Sequence, residues 1–272
     1  MSESARENWI ALIGSRTLEG FRYAGGMTLL LWRTLQFAVR GVLVPSAKFG
    51  FRAMVDQMVR VGLKSLGIVM LVQGFIGVIL ALQLAPTLEQ YGQLDKIANV
   101  LGTGGFRMLG PIITGVVLSG FAGASIAAEL GTMVVAEEIE ALEAMALNPV
   151  RFLVVPRVFA TVIMMLLLTI VADLMIALGG WVTARVVLGP AAYVGFIENM
   201  RIQLRYTDFF TGLTQAGVFG ALISLIACHQ GLGVRGGAEG VGRATTLTVV
   251  HSIVAIVLAA GVFTAVFYVF NI

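Results

Sequence analysis

The sequence predicts an all-α membrane protein, an N-terminal interfacial helix followed by five transmembrane helices. Three observations predict it. Apolar residues make up 58% of the 272-residue chain and charged ones 12%, against ~25% charged in a soluble domain, so the chain cannot cover a soluble surface. Four stretches (65–88, 108–128, 209–234 and 244–272) contain no Asp, Glu, Lys or Arg, and a fifth, 158–184, is broken only by Asp173. Each can cross a bilayer, because ~20 apolar residues span a ~30 Å hydrocarbon core. Backbone groups in lipid must pair internally, and runs of this length do so as helices, not as short barrel strands.

The first 60 residues form one segment, and residues 61–272 one membrane domain. MSESARENW has no basic start leading into an apolar core and is not read as a signal peptide. From Thr17 to Arg40 apolar residues alternate with Arg22, Arg33 and Arg40, with Leu29, Leu30, Leu31, Trp32, Leu35 and Phe37 between them. That pattern suits a helix lying in the membrane interface, its arginines reaching to phosphates; a sixth, short span is the alternative.

The spans are expected at roughly 62–86, 108–130, 153–184, 208–230 and 246–270. Small residues recur at helical spacing within them, at Gly120, Ala124 and Ala128 and at Ala216 and Gly220, where they let helix backbones approach closely. Two connections, 87–107 and 186–207, are long enough to hold short helices, the first ending in a Gly-rich turn. With the N-terminal segment cytoplasmic, thirteen Lys and Arg fall inside and five (Lys96, Arg107, Arg185, Arg201 and Arg205) outside. The positive-inside rule then puts the N-terminus in the cytoplasm and the C-terminus outside.

The connection between the second and third spans is acidic: Glu129, Glu137, Glu138, Glu140 and Glu143 fall within 15 positions, followed by Asn148-Pro149 and Arg151. Wound as a helix, Ile139, Leu142, Met145 and Ala146 share one arc, and Glu137, Glu140 and Glu143 lie opposite. A residue before proline avoids helical geometry, so this helix is expected to end at Asn148-Pro149. A solvated loop needs no apolar stripe. A helix that docks on a soluble partner explains both faces. Glu129 belongs to the membrane helix, where pairing with a basic neighbour is its expected role.

Other chemistry is excluded or weak. The Gly231, Gly233 and Gly236 pattern follows a membrane helix and not a strand, so it is no dinucleotide fingerprint, and no phosphate-cradling G-x-x-x-x-G-K-[ST] occurs. If ATP drives the protein, the nucleotide sits on another polypeptide. Cys228 alone permits no intrachain disulfide. His229 and His251 lie 22 positions apart with no Cys or Asp set beside them, and Ser119 and Ser125 lack a nucleophile context. The net charge of +3 comes with no basic run interleaved with aromatics, so nucleic acid is not an expected partner. Asp173, toward the outer part of the third span, is expected to pair within the bundle or to face a cavity. An independent secondary transporter or channel is the rival reading. It would call for paired repeats or midplane charge pairs, which five spans do not offer.

The segment AAELGTMVVAEEIEALEAMALNPVRFLVVPR, with Leu109-Gly110-Pro111 upstream and GVGRATTLTVV at 240–250, resembles the MlaE/YrbE permease family, membrane subunits of ABC transporters that work with MCE proteins. The resemblance covers roughly residues 50–270. It implies a non-enzymatic subunit of the bacterial inner membrane that moves phospholipids between inner and outer membranes and maintains outer-membrane lipid asymmetry. Implied partners are a second permease copy as a homodimer, a cytoplasmic ABC ATPase carrying ATP and Mg, a periplasmic MCE-domain hexamer and a small STAS-domain protein. No cofactor is expected in this chain. The resemblance makes Ala136 to Asn148 the helix that couples to the ATPase, with Glu137, Ile139, Glu140, Leu142, Glu143, Met145, Asn148, Pro149 and Arg151 as contacts. It makes Leu80, Leu88, Tyr91, Arg107, Met108 and Leu109 the lining of a lipid cavity at the dimer centre. Some relatives carry a glutamate before Leu-Gly-Pro where this chain has Met108, which implies a greasier pocket read by Arg107.

Overall fold

A computed structural model describes residues 25–37 and 51–270, and all regular structure among them is helical. The rest of the N-terminal segment, including Arg22 and Arg40, lies outside the described residues. Helix α1 (25–37) comes first. Helix α2 (Phe51–Met58) runs through a π-helical turn, Val59–Leu63, into α3 (Lys64–Gln90) without a break at 60/61. Helices α4 (Ile97–Gly104), α5 (Gly110–Leu118) and α6 (Ala124–Val135) form one continuous rod through π turns at Gly105–Leu109 and Ser119–Gly123. The short α7 (Glu138–Ala144) follows, and then α8 (Val155–Thr183), flanked by π turns at Val150–Val154 and Ala184–Leu188. Two short helices, α9 (Pro190–Tyr193) and α10 (Phe196–Gln203), lead to α11 (Tyr206–Leu232) and α12 (Gly237–Phe270).

Five rods are long and apolar enough to cross a membrane: Arg52–Gln90, Leu94–Val135, Val150–Leu188, Tyr206–Leu232 and Gly237–Phe270. The number is the one expected; the helices outrun the expected bounds at most ends, because amphipathic residues continue the helix beyond the charge-free stretch. The predicted Gly-rich turn before the second span is absent. Gly102 and Gly105 stay helical, and their bare faces admit Met200 and Ile176, each 3.1 Å from where a Cβ would stand. Glycine serves close approach there, not chain reversal. Pro111 and Pro156 sit in the first turns of α5 and α8, directly after π turns. The wider turn absorbs the bond a proline cannot donate and the clash of its ring with the preceding carbonyl.

Helix α11 is the most enclosed span and α12 the most open. The larger core cluster gathers Leu118, Ile126 and Leu130 of the second span, Met165 and Leu168 of α8, and Phe219 and Ile223 of α11, with Leu30 of α1 added at one end. The smaller one joins Ala81 and Ala85 of α3, Ile97 and Leu101 of α4, Ile176 of α8 and Phe196 of α10. Helices α3 and α8 lie against each other along their length. A methyl on Gly77 would strike the Ile176 carbonyl, and one on Gly179 the Gly74 carbonyl, so dispersion between backbones holds this pair where lipid gives no hydrophobic drive. Ala216 and Gly220 pack inside the subunit, Gly220 against Val162 and Met165. Gly120 faces outward with no atom near it.

Candidate functional site

The two ends of the bundle carry different chemistry. Where α10 meets α11, the chain turns through an extended Arg205, and the Asp208 side chain reaches back to cap the start of α11. The Arg205 backbone N–H donates to Asp208 Oδ2 at 3.1 Å, which fixes the carboxylate. The other oxygen, Oδ1, accepts from Arg107 Nη1 at 3.4 Å. Arg107 stands on the π turn of the second span, and its guanidinium also lies 5.2 Å from the ring centre of Phe267 on α12. Three spans thus meet at one cation.

A cavity of about 460 Å³ opens beside it, within the size range of small-molecule sites. Arg107, Met108, Arg205, Asp208, Gln215, Phe267 and Tyr268 contribute to its wall. Two arginines against one carboxylate give the lining a net positive charge, and the aromatic rings give it an apolar side. The arrangement can hold an amphiphile with an anionic head.

Of the six residues expected to line a lipid cavity, the structure brings Arg107 and Met108 to this one. Leu109 follows them on the same π turn, half-buried. Leu80 and Leu88 pack against the smaller core cluster, and Tyr91 is exposed at the end of α3. Sequence reasoning missed Arg205, Asp208, Gln215, Phe267 and Tyr268. Asp173 of α8 is buried against Gly110, which has no side chain to exclude it, and its Oδ1 has no hydrogen-bond partner among the described residues.

The opposite end carries the acidic segment. The expected helix over 136–148 is shorter: α7 covers only Glu138–Ala144. Glu137 (φ 59°) and Ala146 (φ 58°) both take the left-handed conformation and bracket it, so Glu137, Met145 and Ala146 are not part of the helical arc. Asn148-Pro149 does not end α7. The Asn148 side chain instead caps the next helix, accepting from the Val150 backbone N–H at 3.0 Å. Glu138 sits with Glu140 in the first turn, where the helix dipole favours carboxylates. Ile139 and Leu142 are half-buried; Glu137, Glu140, Glu143, Met145 and Arg151 are exposed.

Beneath α7 lies an ion network. Glu129 on α6 pairs with Arg60 of the first span and, at 3.1 Å, with Arg157 Nη2 on α8. Arg157 Nη1 also donates to the Leu153 carbonyl at 3.0 Å. Glu129 has the basic partners expected of it. Because α6 precedes α7 and α8 follows it, the Glu129–Arg157 pair closes the base of the hairpin that carries α7.

Residues 54–266 match the sequence model of the family described as permease MlaE. The chain belongs to the MlaE permease family. A probable ABC transporter permease protein of Rickettsia felis is 33% identical over 258 residues, covering 94% of this chain and 96% of the relative. The intermembrane phospholipid transport system permease protein MlaE of Haemophilus influenzae is 30% identical over 250 residues, 90% and 92% of the two chains. The chloroplastic protein trigalactosyldiacylglycerol 1 of Arabidopsis thaliana is 32% identical over 248 residues, 87% of this chain and 71% of the relative. The MlaE match takes in Arg107 and all of the cavity wall except Phe267 and Tyr268, together with the Glu129 network and α7, and begins after α1. This chain is therefore a multi-pass membrane permease of the ABC transporter class.

Proposed function

We infer that two copies of this chain form the lipid path of an ABC transporter in a bacterial inner membrane, moving phospholipid between inner and outer membranes and so maintaining outer-membrane lipid asymmetry. The cavity beside Arg107 carries the reading. It has a net positive, aromatic-sided wall at the end of the bundle opposite α7, suited to a phosphate head and acyl chains. The relative from Haemophilus influenzae, named for intermembrane phospholipid transport, supports the choice of cargo.

In this reading α7 docks on a separate cytoplasmic ATPase, which binds ATP and Mg, while the chain does no covalent chemistry. The ATPase's two states change the shape of the cavity, and each state makes its own contacts with the permease. The N-terminus is cytoplasmic and the C-terminus periplasmic. A periplasmic MCE-domain hexamer takes or delivers lipid at the Arg107 end, and a small STAS-domain protein joins the ATPase. Leu80, Leu88, Tyr91 and Leu109 complete the lipid path where the two copies meet.

Mass spectrometry of lipid extracted with the purified protein tests the cargo assignment. Arg107→Glu, which reverses the cavity's charge, and Leu88→Gln, which breaks the apolar lining, should each lower the phospholipid bound per chain. Unchanged occupancy in both would sink the assignment.

A further inference from the structure

Helix α1 lies before the region matched to the family, and the transport reading makes no use of it. One face docks on the bundle: Leu30 and Thr34 are buried, and Met27 packs on the larger core cluster. The other face is bare, with Leu29 60%, Trp32 62% and Leu35 50% exposed. Such a helix settles at a membrane surface with its apolar residues among the acyl chains. On the docked side Gly26 lies against the His229 imidazole at the end of α11, where a Cβ would stand 2.7 Å from the ring. Gly231, two residues on, packs against Ala127 and Leu130 of α6, so this is the end of the bundle that carries α7.

A cavity of about 210 Å³ separates α1 from the end of α11. Its wall is Gly26, Leu29, Leu30, Arg33, His229 and Leu232, with no carboxylate among them. Arg33 forms no ion pair with any described residue. A guanidinium at the mouth of an apolar groove, on a helix that lies in the interface, needs an anion that brings its own hydrocarbon.

We propose that this groove binds the phosphate of a phospholipid from the α7-side leaflet. Arg33 takes the phosphate oxygens through its forked donors, and the ring of His229 lies beside the head. Leu29 and Leu232 meet the first carbons of the acyl chains. The bound lipid bridges α1 to α11 and holds the interfacial helix on the bundle. The site is separate from the Arg107 cavity, at the other end of the molecule, and does not depend on the transport reading.

Native mass spectrometry of the full chain in detergent, titrated with phosphatidylglycerol, tests the proposal. An Arg107→Gln chain should still retain one phospholipid per chain. Adding Arg33→Gln to it should weaken that binding by about tenfold, the effect of losing one charge-assisted hydrogen bond; Arg33→Lys should restore part of it. Gly26→Val, which pushes α1 off His229, should weaken binding in the same background. Diacylglycerol, which lacks the phosphate, should not bind the groove, and millimolar inorganic phosphate should not displace the lipid. The proposal is overturned if Arg33→Gln leaves affinity unchanged, or if Arg107→Gln alone empties the chain of lipid. Equal binding of diacylglycerol would make the groove merely greasy, and displacement by inorganic phosphate would make it a site for the free anion. A groove that holds lipid while Arg107→Glu and Leu88→Gln leave total occupancy unchanged would separate this site's success from the failure of the cargo assignment.

Discussion

Asp208 does two jobs with two oxygens. One holds the start of α11 through the Arg205 backbone, and the other faces Arg107 across the cavity. Asp208→Asn keeps the shape, weakens the cap and removes the negative charge that Arg107 Nη1 meets. Loss of a cap costs ~1 kcal/mol, and loss of a charge-assisted hydrogen bond costs ~1.5–3 kcal/mol. Thermal unfolding in detergent should show a loss of ~2 kcal/mol, smaller in the Arg107→Gln background because the partner is already gone. Equal losses in both backgrounds would mean the pair is not coupled. In the sequence, Arg107 was visible as a cation before a span, while Asp208 looked like an ordinary residue at the start of another. Their pairing spans 101 positions, and no local pattern encodes it.

Helix existence was legible at the level of the element, and helix boundaries were not. Four charge-free runs and a fifth broken only by Asp173 mark five spans, because hydrocarbon tolerates little else. The acidic segment read as thirteen helical residues because Glu, Ala, Leu and Met all favour helix. Instead the chain spends left-handed residues at Glu137 and Ala146 to swing α7 off the rods on either side. Glycines misled in the other direction at Gly102 and Gly105: like Gly77 and Gly179 they are close-approach positions, and only the neighbouring helix reveals that. Gly179→Val should force α3 and α8 apart and destabilise the bundle by ~2 kcal/mol or more, an overpacking cost. An unchanged unfolding temperature would show that the close approach is not needed. The Glu129–Arg157 pair predicts a different phenotype. With the base of the α7 hairpin loosened, Glu129→Gln should keep the ATPase bound but lower lipid-stimulated ATP hydrolysis severalfold. Wild-type stimulation would show that the network only fills space.

Across the whole molecule, the chain is a bundle with a cationic cavity at one end and an acidic handle at the other, joined by α5–α6, α8 and α11. Each end alone has a bland reading, a polar funnel or a solvated loop. In the proposed reading one rod couples them: α6 meets the base of the α7 hairpin through the Glu129 network, and the same rod carries Arg107 and Met108 at the cavity. The central claim is that α7 is where the driving subunit attaches. Affinity purification of the complex carrying Glu140→Lys and Glu143→Lys together tests it most directly. The ATPase should be lost from the purified material while the permease remains folded and still carries phospholipid. Recovery of ATPase in full stoichiometry with the doubly reversed permease would contradict it.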